Sequence, residues 1–135
     1  MEDNCIFCKI ANGEIPSATV YEDETFRAIL DLSPAAKGHT LILPKAHAAN
    51  LFELPDETAA KALMLAKRLG ALLKEGLHAD GLNVVQNNGE AAGQTVLHFH
   101  MHLIPRYSGD TVNVGWKPGH LTDEDRDEVL KLFQK

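Results

Sequence analysis

The chain has 135 residues, a length typical of one domain, and we predict that residues 1–135 form a single folding unit. Hydrophobic residues make up 44% and charged residues 24% of the sequence, which excludes disordered, collagen-like and disulfide-dense classes. The net charge of -6 disfavours nucleic acid as a partner, because an acidic surface repels a phosphate backbone.

The sequence also argues against a membrane partner. No segment approaches the roughly 18 consecutive apolar residues that a membrane span needs. The N-terminal residues Met1 to Asn4 are acidic, whereas a signal peptide begins with basic residues followed by an apolar stretch. We therefore expect a cytoplasmic protein.

The first half of the chain predicts three strands. Residues 18–22 and 25–30 contain β-branched and aromatic side chains and are separated by a charged pair, as in a hairpin. Residues 39–43 follow a glycine and stop at Pro44, which suits a third strand.

One long amphipathic helix is predicted over residues 56–77. Pro55 precedes it, and acidic Asp56 and Glu57 lie in its first turn, where negative charge is favourable. We expect its apolar stripe to face the core; the stripe consists of Ala59, Leu63, Ala66, Leu69, Leu73 and Leu77.

The second half of the chain predicts two strands and a short helix. Residues 81–86 and 95–105 suit strands, with a glycine-containing loop at 87–94 between them. Residues 121–134 suit a helix capped by Thr122, with Val129, Leu130 and Phe133 facing inward. Most connections are too short for parallel crossovers, so we predict an α+β fold: an antiparallel β-sheet with one long helix and a short C-terminal helix.

Three histidines alternate with apolar residues near position 100. Side chains of a strand alternate between its two faces, so the three imidazoles would share one face. The imidazoles belong to His98, His100 and His102, and the apolar side chains of the other face to Phe99, Met101 and Leu103. Such a row indicates either a metal held by imidazoles or one nucleophilic histidine oriented by its neighbours. Alternate residues stand roughly 6.6 Å apart, which favours the nucleophile.

The two cysteines form a Cys-x-x-Cys pair. No thioredoxin-like pattern surrounds Cys5 and Cys8, and a disulfide is disfavoured in a reducing compartment. A metal site is the favoured interpretation, and two idle thiols are the alternative.

With these residues in place, the sequence resembles the histidine-triad (HIT) nucleotide hydrolase and transferase family, in particular its Hint-like bacterial-type members. Residues 98–104, His-Phe-His-Met-His-Leu-Ile, match the family motif His-φ-His-φ-His-φ-φ. Further landmarks follow the family's order: Cys5 to Ile10, Gly13 to Pro16, Asp31 to Pro34, Gly38-His39, Pro44 to His47 and Asn87 to Val96.

The resemblance implies a HIT-like fold and a covalent mechanism. His100 would attack the α-phosphorus of a purine nucleotide conjugate, such as adenosine 5'-monophosphoramidate, and water would then release a nucleoside monophosphate. The backbone carbonyl of His98 would hold the other ring nitrogen of His100, and His102 would contact the phosphate or the leaving group. Thr95 stands where the family usually has serine. An imidazole is largely neutral near neutral pH, so the chemical step needs no metal.

The resemblance also implies a nucleotide-binding set, a metal site and an assembly. Phe7, Ile10, Ile29 and Leu32 would enclose the purine, Asp31 would accept from the ribose hydroxyls, His39 would lie near the sugar and phosphate, and the phosphate loop would include Asn87, Gly93 and Gln94. A structural Zn²⁺ would bind Cys5, Cys8, His47 and His98. The chain would form a homodimer.

Other functions remain open at this level. A dinucleoside polyphosphate hydrolase would use the same chemistry on a different leaving group. A nucleotide-binding interaction module with incidental turnover is an alternative of another class, and a metallohydrolase using the histidine row is a further one.

Overall fold

Five antiparallel strands form one sheet in the computed structural model, which describes residues 2–134. The strands are β1 (Thr19–Glu22), β2 (Phe26–Leu30), β3 (Thr40–Pro44), β4 (Gly81–Val85) and β5 (Met101–Arg106), and the sheet order is β1-β2-β3-β5-β4. The helices are α1 (Ile6–Ala11), α2 (Asp56–Gly76) and α3 (Asp123–Leu132). The predicted α+β class, the antiparallel sheet and the long helix are confirmed.

Local residue chemistry explains the predicted hairpin and one helix start. The Asp23 carboxylate accepts hydrogen bonds from the backbone N–H groups of Thr25 and Phe26, which closes the turn between β1 and β2. The Thr122 hydroxyl accepts from the N–H of Asp125, so the predicted N-cap of α3 is confirmed.

The sheet has one hydrophobic cluster on each face. The larger cluster lies under α2 and includes Phe26, Ile42, Phe99, Met101 and Leu103. The smaller cluster contains Ala11, Ile29, Leu41 and Leu43, with Phe7 and Ile10 of α1 packed against it. Neighbouring residues of β2 and β3 thus enter different clusters, as the alternation of a strand requires. The short helix α1 therefore covers the face opposite α2.

Four details differ from the sequence prediction. The predicted core-facing positions Ala66 and Leu69 are buried, and Ala59 and Leu73 pack against the same cluster. The expected Leu63 is instead 60% exposed, Leu77 follows the helix, and the buried residues also include Ala62, Leu65 and Gly70. Several faces of α2 carry Ala and Leu, so more than one phase fits its periodicity.

The fifth strand is also shorter than predicted. It begins only at Met101, because residues 95–100 follow an irregular path that turns the His98 ring toward Pro44. The helix α1 lies in a stretch for which no element was predicted. A six-residue helix is too short to produce a clear apolar period.

The predicted inward face of α3 is wrong for the isolated chain. Val129, Leu130 and Phe133 are 48%, 51% and 80% exposed, and no residue of α3 is buried. Periodicity shows that one side of a helix is apolar but does not show what covers it. Within residues 2–134, no helix has the length and apolar character needed to cross a bilayer.

Candidate active site

The three histidines lie on the sheet face that α1 covers. His98 is fully buried, His100 is 7% exposed, and the ring centroids of His100 and His102 are 5.0 Å apart. Phe7 of α1 packs edge-on against His100 at 5.0 Å. Since the apolar residues between the histidines belong to the cluster under α2, the predicted separation into an apolar face and a histidine face is confirmed.

The ring of His100 has one nitrogen bound and one nitrogen free. Its Nδ1 lies 2.7 Å from the carbonyl oxygen of His98, the group that the resemblance implied. A carbonyl only accepts hydrogen bonds, so we assign the ring proton to Nδ1. The neutral ring then keeps its lone pair on Nε2, which makes Nε2 the nucleophilic atom.

The ring of His102 has the opposite tautomer. The backbone N–H of Ala35 donates to His39 Nδ1 at 2.9 Å, so the proton of a neutral His39 must sit on Nε2. That nitrogen lies 2.9 Å from His102 Nδ1, which therefore accepts. The proton of His102 is left on Nε2. Two neighbouring histidines thus present different groups, a lone pair from His100 and an N–H from His102.

Four residues form a cluster of metal-ligand type. These are Cys5, Cys8, His47 and His98, whose ligand atoms lie within 4.8 Å of one another. His98 Nδ1 is 3.3 Å from Cys5 Sγ and 3.4 Å from Cys8 Sγ, and His47 Nδ1 is 3.3 Å from Cys8 Sγ. Ligands of a tetrahedral zinc ion, with bonds of about 2.3 Å to sulfur and 2.0–2.1 Å to nitrogen, stand about 3.5 Å apart.

The outer hydrogen bonds of this cluster also fit a metal. His98 Nε2 donates to the carbonyl of Pro44 at 2.8 Å, which leaves Nδ1 unprotonated toward the cysteines. His47 Nε2 faces the Glu2 carboxylate at 3.5 Å. Metal-bound histidines usually direct their second nitrogen to a carbonyl or a carboxylate. Burial raises the pKa of the Cys8 thiol, so a cation would be needed to keep its thiolate.

A second group of possible ligands, Asp31, His39 and His102, fits a metal poorly. Coordination through His39 Nε2 would force the ring proton onto Nδ1, which faces the N–H of Ala35. Two donors would then oppose each other. This group is a hydrogen-bonded chain, which positions His102.

A cavity of about 340 Å³ opens beside the histidine row. Pockets for small ligands span about 300–1,000 Å³. Its lining includes eight of the predicted site residues: Phe7, Ile10, Ile29, Asp31, Leu32, Thr95, His100 and His102. Sequence reasoning missed the other four lining residues, Ile6, Leu30, Leu41 and Val96. Leu30 lies between the predicted residues Ile29 and Asp31, so its position in the sequence could have indicated it. Leu41 reaches the cavity through its pairing with Ile29 on β2, which the sequence alone does not give.

Asp31 has a structural role in addition to its place in the cavity. One carboxylate oxygen accepts from the N–H of Ser33 at 2.8 Å, which forms a turn, and the other lies 3.5 Å from His39 Nε2. His39 does not line the cavity and reaches the site through His102.

The predicted phosphate loop is closed by its own hydrogen bonds. The Gln94 side chain accepts from Gly89 N–H and donates to the carbonyls of Ala49 and Val96. Gln94 therefore fixes the loop and has no amide proton left for a ligand. Gly93 has φ +97°, a conformation that favours glycine. Asn87 and Gly93 lie beside each other, outside the cavity lining.

Acidification should destabilise the fold through His102. Burial lowers the pKa of His102 to about 4, with further lowering by the neighbouring His100 and His39. The unfolded chain, with a histidine pKa near ~6.5, binds a proton between these values while the folded chain does not. Stability should therefore be highest above pH ~6.5 and fall toward pH ~4. Full linkage would give a loss of about 3 kcal/mol from this residue, and the partial solvent exposure of the ring reduces the expected loss to about 1–2 kcal/mol.

Chemical denaturation of the native protein and of His102→Gln over this pH range checks the prediction. As the pH falls, the native protein should lose more unfolding free energy than the variant. The reason is that the unfolded native chain takes up a proton at His102, whereas glutamine takes up none. A difference in unfolding free energy between the two proteins that stays constant from pH 7 to pH 4 would contradict it.

The fold and the site together define an α+β protein in which His100, just before the interior strand β5, and His102, on that strand, face an apolar cavity. The HIT domain family matches residues 12–109, and the chain belongs to this family.

Three similar proteins illustrate the relation. Adenosine 5'-monophosphoramidase HNT1 of Saccharomyces cerevisiae is 46% identical over 123 residues, covering 90% of this chain and 75% of its own. A HIT family protein from Bacillus anthracis is similar in structure with a TM-score of 0.89 at 40% identity, covering 99% of this chain and 97% of its own. A Zn-bound histidine triad family protein from Mycobacterium smegmatis has a TM-score of 0.78 at 40% identity, covering 97% and 96%.

Proposed function

We propose that the protein hydrolyses purine nucleoside phosphoramidates, such as adenosine 5'-monophosphoramidate, through a nucleotidyl-histidine intermediate on His100. The observation that carries the proposal is the bond between His100 Nδ1 and the His98 carbonyl beside an apolar cavity. The yeast relative, an adenosine 5'-monophosphoramidase, supports the substrate class.

The reaction has two displacements at phosphorus. Nε2 of His100 attacks the α-phosphorus and forms a P–N bond, while the bond from phosphorus to the leaving nitrogen breaks and the leaving amine takes up a proton. Water then attacks the phosphorus and gives up one proton to solvent, the bond to Nε2 breaks, the ring returns to its neutral form, and a nucleoside monophosphate leaves. The His98 carbonyl accepts a hydrogen bond from Nδ1–H throughout and stabilises the positive ring of the intermediate.

His102 and Thr95 act on the leaving-group side in this proposal. The tautomer of His102 supports a donor role, because its Nε2–H is the last donor in the series of hydrogen bonds from Ala35 through His39 to His102. Thr95 lines the same cavity and adds a hydroxyl. Both groups can donate to the leaving nitrogen or to a phosphate oxygen, and His102 assists protonation of the amine.

The nucleoside would occupy the apolar part of the cavity. Phe7, Ile10, Ile29 and Leu32 offer flat or branched surfaces for a purine, and the Asp31 carboxylate can accept from ribose hydroxyls. Asn87, Gly93, Gln94 and His39 shape the phosphate end indirectly, through the loop bonds and the bond to His102.

We further propose that Cys5, Cys8, His47 and His98 hold a structural Zn²⁺. The donor set, the ring tautomer of His98 and the Zn-bound mycobacterial relative support this ion. A bound zinc ion would supply a cross-link from α1 to His47 and His98, which lie in the segments after β3 and before β5.

A homodimer is the proposed assembly of this single-domain, cytoplasmic protein. β4 is an edge strand with Val84 45% exposed. The outer face of α2 exposes Leu63, Met64 and Leu72 by 60%, 66% and 68%. A second copy that pairs at β4 and α2 would cover both the strand edge and this apolar surface.

A substrate panel tests the proposed function. Adenosine 5'-monophosphoramidate and a diadenosine polyphosphate are each incubated with the protein, and release of adenosine monophosphate is followed by chromatography. We expect faster release from the phosphoramidate, and Thr95→Ser is a matched variant that keeps the hydroxyl. Faster cleavage of the polyphosphate would assign the protein to the other hydrolase class. Tight binding of adenosine monophosphate without turnover of either compound would favour the binding module.

A further inference from the structure

His98 belongs to two sites at once. Its Nδ1 atom lies 3.3 and 3.4 Å from the sulfur atoms of Cys5 and Cys8. Its carbonyl oxygen accepts a hydrogen bond from His100 Nδ1–H, with 2.7 Å between oxygen and nitrogen. Within residues 2–134, His98 alone forms hydrogen bonds both to the cysteines and to the ring of His100. The metal-ligand cluster is thus linked to the nucleophile through a single residue, His98.

The direction of the His98 carbonyl is not fixed by the sheet. The ladder between β3 and β5 begins at Met101, so residues 98–100 lie outside it. Two bonds hold this segment: His98 Nε2 donates to the Pro44 carbonyl at 2.8 Å, and Phe99 N–H donates to the Ala48 carbonyl at 2.7 Å. The ring of His98 is therefore a main anchor of the backbone that orients His100, and its second nitrogen, Nδ1, faces the two cysteines.

The same cluster anchors one wall of the cavity. Cys5 and Cys8 lie at the start of α1, and Phe7 between them packs against His98 and His100 with ring centroids 6.1 and 5.0 Å away. An isolated helix of six residues is unstable, so α1 depends on its tertiary contacts. Free thiols are weak hydrogen-bonding groups and hold an imidazole loosely compared with coordination to a shared ion.

We propose that metal occupancy of the Cys5, Cys8, His47 and His98 cluster controls the reactivity of His100 through the backbone of His98. This inference rests on the proposed function and on the proposed zinc site. With the ion bound, the His98 ring and carbonyl are fixed, and His100 keeps its proton on Nδ1. Without the ion, the carbonyl moves, and His100 also populates the tautomer with its proton on Nε2, which has no lone pair there for attack.

The nitrogen resonances of the His100 ring give a direct test that does not depend on turnover. Protein labelled with ¹⁵N-histidine is measured zinc-loaded and after chelation, and His100→Ala assigns the signals. His47→Ala removes one ligand without altering the cysteines or His98, and exposed His120→Ala is the matched control. We expect the Nδ1–H tautomer alone in zinc-loaded native protein and in His120→Ala, and a mixture of tautomers in the zinc-free protein and in His47→Ala.

Activity and nucleotide affinity provide the second readout. Turnover of the phosphoramidate should fall by roughly tenfold to a hundredfold in the zinc-free protein, the scale expected for an ångström-size displacement of a reacting group. Binding of adenosine monophosphate should weaken as well, because Phe7 shifts with α1. If the zinc-free chain does not fold, the zinc-loaded protein is compared with the cadmium-loaded protein instead. Longer metal–ligand bonds should then move the His100 resonances while core methyl signals stay in place.

Each outcome decides the proposal. An unchanged His100 tautomer together with unchanged turnover in folded, zinc-free protein refutes the coupling, as do His100 resonances that are identical in the zinc and cadmium forms. Native protein that binds no zinc refutes both the metal site and the coupling. Full turnover by His100→Ala would refute the proposed function alone, since the tautomer of His100 in the native protein still decides the coupling.

Discussion

Replacement of His100 by alanine should reduce phosphoramidate hydrolysis by about four orders of magnitude or more, the loss seen when a covalent nucleophile is removed. The reason is that Nε2 of His100 is the one lone pair of the row that is left free beside the cavity. His98 faces the cysteines with Nδ1 and donates from Nε2 to Pro44, while His102 accepts at Nδ1 and retains its proton on Nε2. Neither neighbour can replace the missing ring.

Rapid acid quenching shows whether the loss is chemical. With a phosphoramidate radiolabelled at the α-phosphate, native protein should retain label during turnover, and His100→Ala should retain none. Free imidazole should restore part of the turnover by entering the vacated space. His120→Ala, which alters an exposed histidine, should behave as the native protein does. A folded His100→Ala protein that still becomes labelled would assign the nucleophile elsewhere.

Removal of zinc should produce the largest loss of stability. At a free zinc concentration about 1,000 times the dissociation constant, binding contributes about 4 kcal/mol to the folded state. For a chain of 135 residues this corresponds to a shift of the thermal midpoint on the order of 10–15 °C. Loss of the ion should affect the whole fold, because the cluster joins α1 to His47 and to His98, a residue 93 positions from Cys5.

The measurement is a thermal melt with and without a chelator, combined with elemental analysis. Cys8→Ser should melt at the lower temperature and show no response to added zinc. Cys8 is fully buried, so the response to zinc, not the melting temperature alone, separates metal loss from altered packing. Equal midpoints for the native protein with and without zinc would show that the cluster is two idle thiols and two histidines.

The histidine row and the fold class could be predicted because both depend on local periodicity. A period of two separates His98, His100 and His102 from Phe99, Met101 and Leu103 without knowledge of the partner strands. The Thr122 cap and the start of α2 were also local features. Where local signals were ambiguous, prediction failed: Leu63 of the predicted α2 stripe is exposed, and so is the apolar side of α3.

The residue types available for chemistry, and their alternation with apolar side chains, follow from the sequence alone. Their protonation and their hydrogen-bond partners depend on the folded structure. The tautomer of His102 depends on the amide of Ala35, that of His98 on the carbonyl of Pro44, and the loop conformation on Gln94 reaching Ala49. These partners lie far apart along the chain and do not form part of a repeating pattern. Hydrogen bonds of this kind follow from the path of the backbone in space, which a residue period does not encode.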